Sequence, residues 1–107
     1  MNFFNRMMGS IVGVDKELPA NACLIDVRSP AEYASGYIEG AISIPLGDLT
    51  QSISKAVPNK ETEIVVYCQS GARSAAAKNQ LLSMGYQQVS NGGGIGSLAA
   101  SLQKNIC

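Results

Sequence analysis

The segment EIVVYCQSGARSAAAKNQLLSM, residues 63–84, constrains the fold more than any other part of this chain. Its apolar and β-branched start, from Ile64 to Tyr67, predicts a buried strand of a parallel sheet. Its end is rich in Ala and Leu and predicts a helix over residues 74–84, with Gly85 as the C-terminal cap. Cys68 is therefore predicted to lie between the end of a strand and the start of a helix.

That position makes Cys68 a candidate nucleophile, because α/β proteins bind ligands at the carboxyl ends of their parallel strands. Gly71 permits the positive φ found in nests of backbone N–H groups that bind anions. Such a nest, the helix dipole and Arg73 together predict a Cys68 pKa below the ordinary value of about 8.5. The alternative is an ordinary buried cysteine. The candidate substrate-binding residues of the loop are Gln69, Ser70, Gly71, Ala72, Arg73 and Ser74.

Composition narrows the possible functions further. The 107 residues contain no repeat or charged linker, which predicts one domain over residues 1–107. Eight basic and eight acidic residues cancel without forming a basic cluster, so no nucleic acid partner is expected. No apolar run approaches the roughly 18 residues of a transmembrane helix, and the apolar start is interrupted by polar residues. We therefore expect no membrane partner and a cytoplasmic location.

The cysteine and histidine counts restrict the chemistry. The three cysteines, Cys23, Cys68 and Cys107, are odd in number and form no Cys-x-x-Cys motif, which argues against a disulfide framework. The absence of histidine excludes zinc sites with imidazole ligands, Ser-His-Asp triads and Cys-His dyads. Activation of Cys68 is therefore expected from backbone dipoles and arginine, with Cys23 as a structural residue.

The remaining segments alternate between strand and helix patterns, which predicts parallel βαβ units and an α/β fold. Ser29-Pro30-Ala31-Glu32 is a capping box with proline at the first helical position, so a short helix should start there and end at Gly36. Strands are expected over residues 22–27, 41–44 and 87–90. Amphipathic helices are expected over the first dozen residues, over 46–57 and over 95–106.

The glycines at 92–94 are a separate feature. Together with Asn91 they predict a flexible turn, and they do not match the G-x-G-x-x-G pattern of a nucleotide-binding turn. A backbone that passes close to the Cys68 loop explains these glycines better.

Several short motifs follow one another in a specific order. They are Leu24-Ile25-Asp26-Val27-Arg28, Glu32-Tyr33, Gly36-Tyr37-Ile38, Gly40-Ala41, Ile44-Pro45 and Cys68-Gln69-Ser70-Gly71-Ala72-Arg73-Ser74. In this order and spacing the chain resembles the small single-domain rhodaneses, from about Cys23 to Gly94. The resemblance implies an α/β fold with a mostly parallel sheet of four or five strands, flanked by helices on both faces. Tyr37 replaces a histidine usual in that family, and Leu98 or a neighbour replaces a common tryptophan.

The resemblance also implies thiosulfate sulfurtransferase activity. Cys68 would accept sulfane sulfur as a persulfide and pass it to cyanide or a thiol, with no metal or organic cofactor. The expected partners are small sulfur-containing anions and thiol acceptors, with a sulfur-accepting protein as a further candidate.

Three charged residues have more than one possible role. Arg73 is expected to attract anions at the loop rim or to form a structural ion pair. Arg28 is a candidate substrate-binding residue, or it pairs with Glu32 four positions later. Asp26 is expected to tie down the loop backbone rather than act as a general base, because persulfide transfer needs little proton transfer.

Two other functions remain open. A phosphatase or arsenate reductase also uses cysteine and arginine in an anion-binding loop, but its signature places five residues between them, whereas four separate Cys68 from Arg73 here. A binding module without activity is the third possibility, since a fold does not fix a function. The presence of Cys68 argues against it.

Overall fold

The structure, a computed structural model, describes Asp15 and residues 18–107. In this part of the chain, strands and helices alternate around one sheet. The strands are β1 (Cys23–Asp26), β2 (Ile42–Ser43), β3 (Glu63–Cys68) and β4 (Gln88–Gly94). The helices are α1 (Pro30–Ser35), α2 (Leu49–Ala56), α3 (Ala72–Ser83) and α4 (Ile95–Leu102), with a 3₁₀ turn at Leu46–Asp48 before α2. The helix predicted for the first dozen residues lies outside the described residues.

The four strands form a parallel sheet in the order β2-β1-β3-β4. The α/β fold and the parallel sheet flanked by helices are therefore confirmed. The central strand β3 has no exposed side chain from Ile64 to Cys68, as expected for a strand covered on both faces. Because β1 and β3 are neighbours and parallel, Asp26 and Cys68 lie at the same edge of the sheet.

Helices cover both faces of the sheet. On one face, α2 and α3 pack through Leu49, Ile53, Ala77 and Leu81. On the other face, α4 and the segment before β2 pack through Leu98, Ala99, Ile38 and Ala41. Side chains alternate along a strand, so Cys68 belongs to the α3 face and its neighbour Tyr67 to the opposite one.

The start of α1 confirms the predicted capping box. The Glu32 N–H donates to Ser29 Oγ at 3.2 Å, and the Ser29 N–H donates to Glu32 Oε1 at 2.9 Å. Pro30 is the first helical residue and Gly36 the C-terminal cap, as predicted. This six-residue helix fully buries none of its side chains, so it depends on its capping box and on a few side-chain contacts with other segments.

Residues 91–94 correct one prediction. They continue β4 rather than forming a flexible turn, with a bulge opposite Val66 and Tyr67. A Cβ atom at Gly92 would lie 2.8 Å from both Leu98 and Val65. Glycine is therefore required here by close packing between the sheet and α4, and this requirement outweighs the turn preference of the local sequence.

The last helix is shorter than predicted. It ends at Leu102, where Gln103 adopts a left-handed conformation with φ of 56°. Ile106 therefore lies off the helix, and it forms an antiparallel bridge with Ile38. Among the described residues, no helix is long and apolar enough to cross a membrane.

Candidate active site

Cys68 lies at the end of β3, and its sulfur is surrounded by donors from the loop that follows. The Gly71 N–H donates to Sγ at 2.9 Å and the Ser74 N–H at 3.4 Å. Gly71 has a φ of 104°, a left-handed conformation that glycine adopts readily and that leads the chain from the loop into α3. Cys68 has no exposed surface, whereas the loop residues Gln69 and Ser70 are exposed. The strand end, the loop and the first turn of α3 thus place N–H donors around the Cys68 sulfur, and binding of an anion by this nest stays a prediction.

These donors decide the ionisation of Cys68. Burial works against the thiolate, but hydrogen bonds from the Ser74 hydroxyl and from the N–H groups of Ser74, Gly71 and Ser70 outweigh it and lower the pKa of Cys68. The direction agrees with the sequence prediction. The cause differs in part, because the main favourable contributions come from these donors and Arg73 is not among them.

This pKa can be tested by alkylation with iodoacetamide. The lowered pKa predicts that the rate at Cys68 reaches its half-maximum below the free-cysteine value of about pH 8.5. Cys23 is an internal control, because burial raises the pKa of its thiol. Ser74→Ala should move the Cys68 midpoint upwards, since it removes one donor. Peptide mapping after alkylation at a series of pH values measures the midpoints of Cys68 and Cys23 in the parent and of Cys68 in Ser74→Ala. A Cys68 midpoint at or above that of a free cysteine would contradict the role of the nest.

A buried hydrogen-bond network through Asn91 holds the Ser74 hydroxyl in place. The Ser74 hydroxyl lies 2.7 Å from Asn91 Oδ1, 3.0 Å from the Gly71 carbonyl oxygen and 3.5 Å from Cys68 Sγ, so its one proton is donated to one of these three acceptors at a time. The Gly93 N–H also donates to Asn91 Oδ1, at 2.9 Å. Asn91 is 1% exposed, and its Nδ2 has no partner among the described residues. Sequence reasoning missed this residue, because Asn before glycines indicates a turn.

The glycine end of β4 lies directly against the loop. A Cβ atom at Gly94 would lie 2.7 Å from the carbonyl oxygen of Gln69. The close passage predicted from the run of glycines is therefore confirmed, although the backbone is a strand and not a turn. Close packing of β4 leaves the loop no room to widen on this side.

Arg28 is bound to Asp26 rather than to Glu32, which corrects the predicted pair. Its Nη2 lies 2.7 Å from Asp26 Oδ2, its Nε donates to the same carboxylate, and Arg28 is only 3% exposed. Arg28 Nη1 also donates to Gln69 Oε1 at 3.2 Å. Arg28 therefore contacts the loop through Gln69. Asp26 accepts the Arg28 main-chain N–H at 2.9 Å, so the backbone that it holds is the segment after β1 rather than the Cys68 loop.

Arg73 has the second of its two predicted roles, the ion pair. Its Nη1 and Nη2 donate to the two carboxylate oxygens of Glu32 at 2.7 and 3.0 Å. The two side chains are 40% and 34% exposed, so the pair lies at the surface. The Arg73 guanidinium, followed by the Ser29 N–H, lowers the pKa of Glu32 to about 2. The charge of Arg73 is thus compensated.

The two departures from the family pattern have structural explanations. Tyr37 stacks on Tyr33, with ring centroids 4.3 Å apart and planes 10° apart. Leu98 is buried, and its side chain lies over Gly92, as described above. Within the part of the chain that the structure describes, no group of His, Cys, Asp and Glu side chains could hold a metal ion. All three cysteines are free thiols.

The chain is similar to known proteins over most of its length. A family model described as "Rhodanese-like domain" matches residues 13–97. Thiosulfate sulfurtransferase PspE of Escherichia coli is 44% identical over 75 residues, covering 70% of this chain and 72% of that protein. A sulfurtransferase of Allochromatium vinosum is 42% identical over 68 residues, covering 64% of this chain and 62% of that protein, less than two thirds of its length.

Solved structures give the same result. A rhodanese with anions from E. coli superposes with a TM-score of 0.69 at 42% identity, covering 71% of this chain and 89% of that chain. The human single-domain sulfurtransferase TSTD1 superposes with a TM-score of 0.61 at 30% identity, covering 84% and 82%. In both cases most of each chain is covered, so the likeness extends well beyond the loop.

Proposed function

Because the chain belongs to the rhodanese-like family, we propose that it is a sulfurtransferase in which Cys68 carries sulfane sulfur as a persulfide. One observation carries this proposal: N–H groups of Gly71 and Ser74 point at Cys68 Sγ from 2.9 and 3.4 Å. Donors placed in this way stabilise negative charge on sulfur without reorganising during the reaction. Relatives named as sulfurtransferases support the general activity.

The first half-reaction takes sulfur from a donor such as thiosulfate. The Cys68 thiolate attacks the outer sulfur of thiosulfate, a new S–S bond forms, and the old S–S bond breaks as sulfite leaves with its electron pair. The product is a Cys68 persulfide. Its negative charge lies in the nest of loop N–H groups, so this step requires neither a metal nor an organic cofactor.

The second half-reaction returns the enzyme to its starting state. Cyanide or a thiolate attacks the outer sulfur of the persulfide, and the Cys68 thiolate leaves with the electron pair of the broken S–S bond. No proton need be transferred at Cys68, which agrees with the absence of histidine from the chain. Two separate half-reactions give ping-pong kinetics. Small thiols and a sulfur-accepting protein are the proposed acceptors, and the cytoplasmic location stays a prediction.

Phosphate chemistry is less compatible with the site. The loop has four residues between Cys68 and Arg73, and both terminal nitrogens of Arg73 are bound to Glu32. A tetrahedral phosphate needs several donors at about 2.7–2.9 Å, including an arginine fork that is free to bind it. No observation in the site favours a phosphatase or an arsenate reductase.

Intact mass after incubation with thiosulfate tests the proposal. We expect one added sulfur atom, located on Cys68 by peptide mapping and removed by cyanide with release of thiocyanate. The same preparation should show negligible hydrolysis of an aryl phosphate. Addition of sulfur to Cys23 or Cys107 instead, or efficient phosphate ester hydrolysis, would contradict the proposed function.

A further inference from the structure

The two arginines beside the Cys68 loop are both neutralised by a carboxylate. Arg28 is paired with Asp26 in the protein interior, and Arg73 is paired with Glu32 at the surface. The charges of these four side chains cancel. Attraction of an anionic donor therefore depends on the uncharged N–H groups of the loop.

Glu32 is held firmly against Arg73. Its Oε1 also accepts the Ser29 N–H at 2.9 Å as part of the capping box, so the carboxylate is fixed at the start of α1. Two hydrogen bonds of 2.7 and 3.0 Å then join it to Arg73, one from each terminal nitrogen of the guanidinium. The negative charge of this carboxylate offsets the positive charge that an incoming anion would meet at Arg73.

Arg73 lies in the first turn of α3, next in sequence to a donor to the Cys68 sulfur. Arg73 directly precedes Ser74, whose N–H donates to Cys68 Sγ. The charge of Cys68 contributes, after that of Glu32, to the raised pKa of Arg73. With 40% and 34% of their side chains exposed, Arg73 and Glu32 are accessible to solvent.

We propose that Glu32 is a specificity-determining residue that cancels the charge of Arg73 beside the Cys68 loop and so disfavours doubly charged sulfur donors. The inference rests on the proposed function and narrows its substrate class to sulfane sulfur donors of low charge, such as persulfides or singly charged thiosulfonates. Thiosulfate, which carries two negative charges, is then still a donor, but the paired Arg73 attracts it less strongly than an unpaired arginine would.

Three variants separate charge from structure. Glu32→Gln leaves Arg73 unneutralised, Arg73→Gln leaves Glu32 unneutralised, and the double variant removes both charges. Glutamine also serves as the third residue of a capping box, so Glu32→Gln retains the start of α1. A single side-chain charge about 8 Å from a bound dianion in water changes the affinity for that dianion by about fivefold at low ionic strength.

Sulfur transfer from thiosulfate is the first readout. At low salt we expect kcat/KM to rise about fivefold in Glu32→Gln and to fall about fivefold in Arg73→Gln, with the double variant between them. With methanethiosulfonate, which carries one negative charge, both changes should shrink to about twofold. About 1 M salt should remove most of each effect, since it screens exposed charges.

Alkylation of Cys68 is a second readout that needs no turnover. Iodoacetate is an anion and iodoacetamide is neutral, so the ratio of their rates reports the potential at the sulfur independently of its pKa. The iodoacetate rate divided by the iodoacetamide rate should be highest in Glu32→Gln and lowest in Arg73→Gln. Thermal unfolding of each variant verifies that it is folded.

The outcomes are distinct. A fall in thiosulfate turnover and in the alkylation ratio in both single variants would mean that the pair is only structural, and would overturn the inference. An unchanged ratio in Glu32→Gln would overturn it as well. Charge-ordered alkylation ratios in a protein that transfers sulfur from no donor would support the electrostatic role of Glu32 and would refute the proposed function instead.

Discussion

Cys68→Ser is expected to lower sulfur transfer by at least about 10³-fold, to the rate of the uncatalysed reaction. A serine hydroxyl is not ionised near neutral pH and cannot hold sulfane sulfur as a persulfide. The N–H groups of Gly71 and Ser74 would keep an acceptor in the hydroxyl oxygen, so stability should change by no more than about 1 kcal/mol. Steady-state assays with thiosulfate and cyanide measure the loss, and urea unfolding measures stability.

The other two cysteines provide matched controls. Cys23 lies in β1 and Cys107 is exposed near Ile106, and neither contacts the loop donors on Sγ. Cys23→Ser and Cys107→Ser should therefore retain most of the activity. Undiminished turnover in Cys68→Ser would remove Cys68 from the mechanism.

Arg28→Met is expected to destabilise the protein by about 3–5 kcal/mol, because it leaves the Asp26 carboxylate buried without its partner. Asp26 has no exposed surface, so water cannot replace the lost hydrogen bonds. The loss should appear as a lower urea midpoint. Where the variant stays folded, kcat/KM should fall much less than in Cys68→Ser, since Arg28 contacts Gln69 and not the sulfur.

A double variant separates burial of a charge from loss of packing. Asp26→Asn combined with Arg28→Met removes both charges and keeps a side-chain oxygen for the main-chain N–H at position 28. The double variant should regain most of the free energy of unfolding that Arg28→Met loses, because its two uncharged side chains carry no penalty for buried charge. A single variant as stable as the parent, with thiosulfate KM strongly raised, would assign Arg28 to substrate binding as first predicted.

The unit around Cys68 could be predicted from sequence because each of its parts is local. An apolar run, a polar loop with Gly71 and an Ala-rich segment each indicate one element, and their succession alone puts Cys68 at the end of a strand. The capping box at Ser29 and Glu32 is local in the same sense. Such signals need no knowledge of the rest of the fold.

The partners of the charged residues could not be predicted in this way. Arg28 and Glu32 are four positions apart, but Arg28 precedes α1, so the geometry of facing helical residues does not apply to it. The parallel pairing of β1 with β3 brings Asp26 and Arg28 beside the Cys68 loop, and Arg73 reaches Glu32 across 41 positions. Asn91 was missed for a related reason, since the bulge and the packing of Gly92 are set by tertiary contacts.

The small size of α1 has a consequence for behaviour on heating. This helix buries no side chain and is held through its capping box, the Tyr33 hydroxyl on the Ala41 carbonyl oxygen, and the Glu32 pair with Arg73. Such a segment belongs to the part of a protein that opens locally, at a free energy below that of global unfolding. Opening would separate Glu32 from Arg73 while β3 and the loop donors stay in place. The electrostatics beside Cys68 would then change with temperature before the sheet melts, and amide hydrogen exchange in α1 would follow that change.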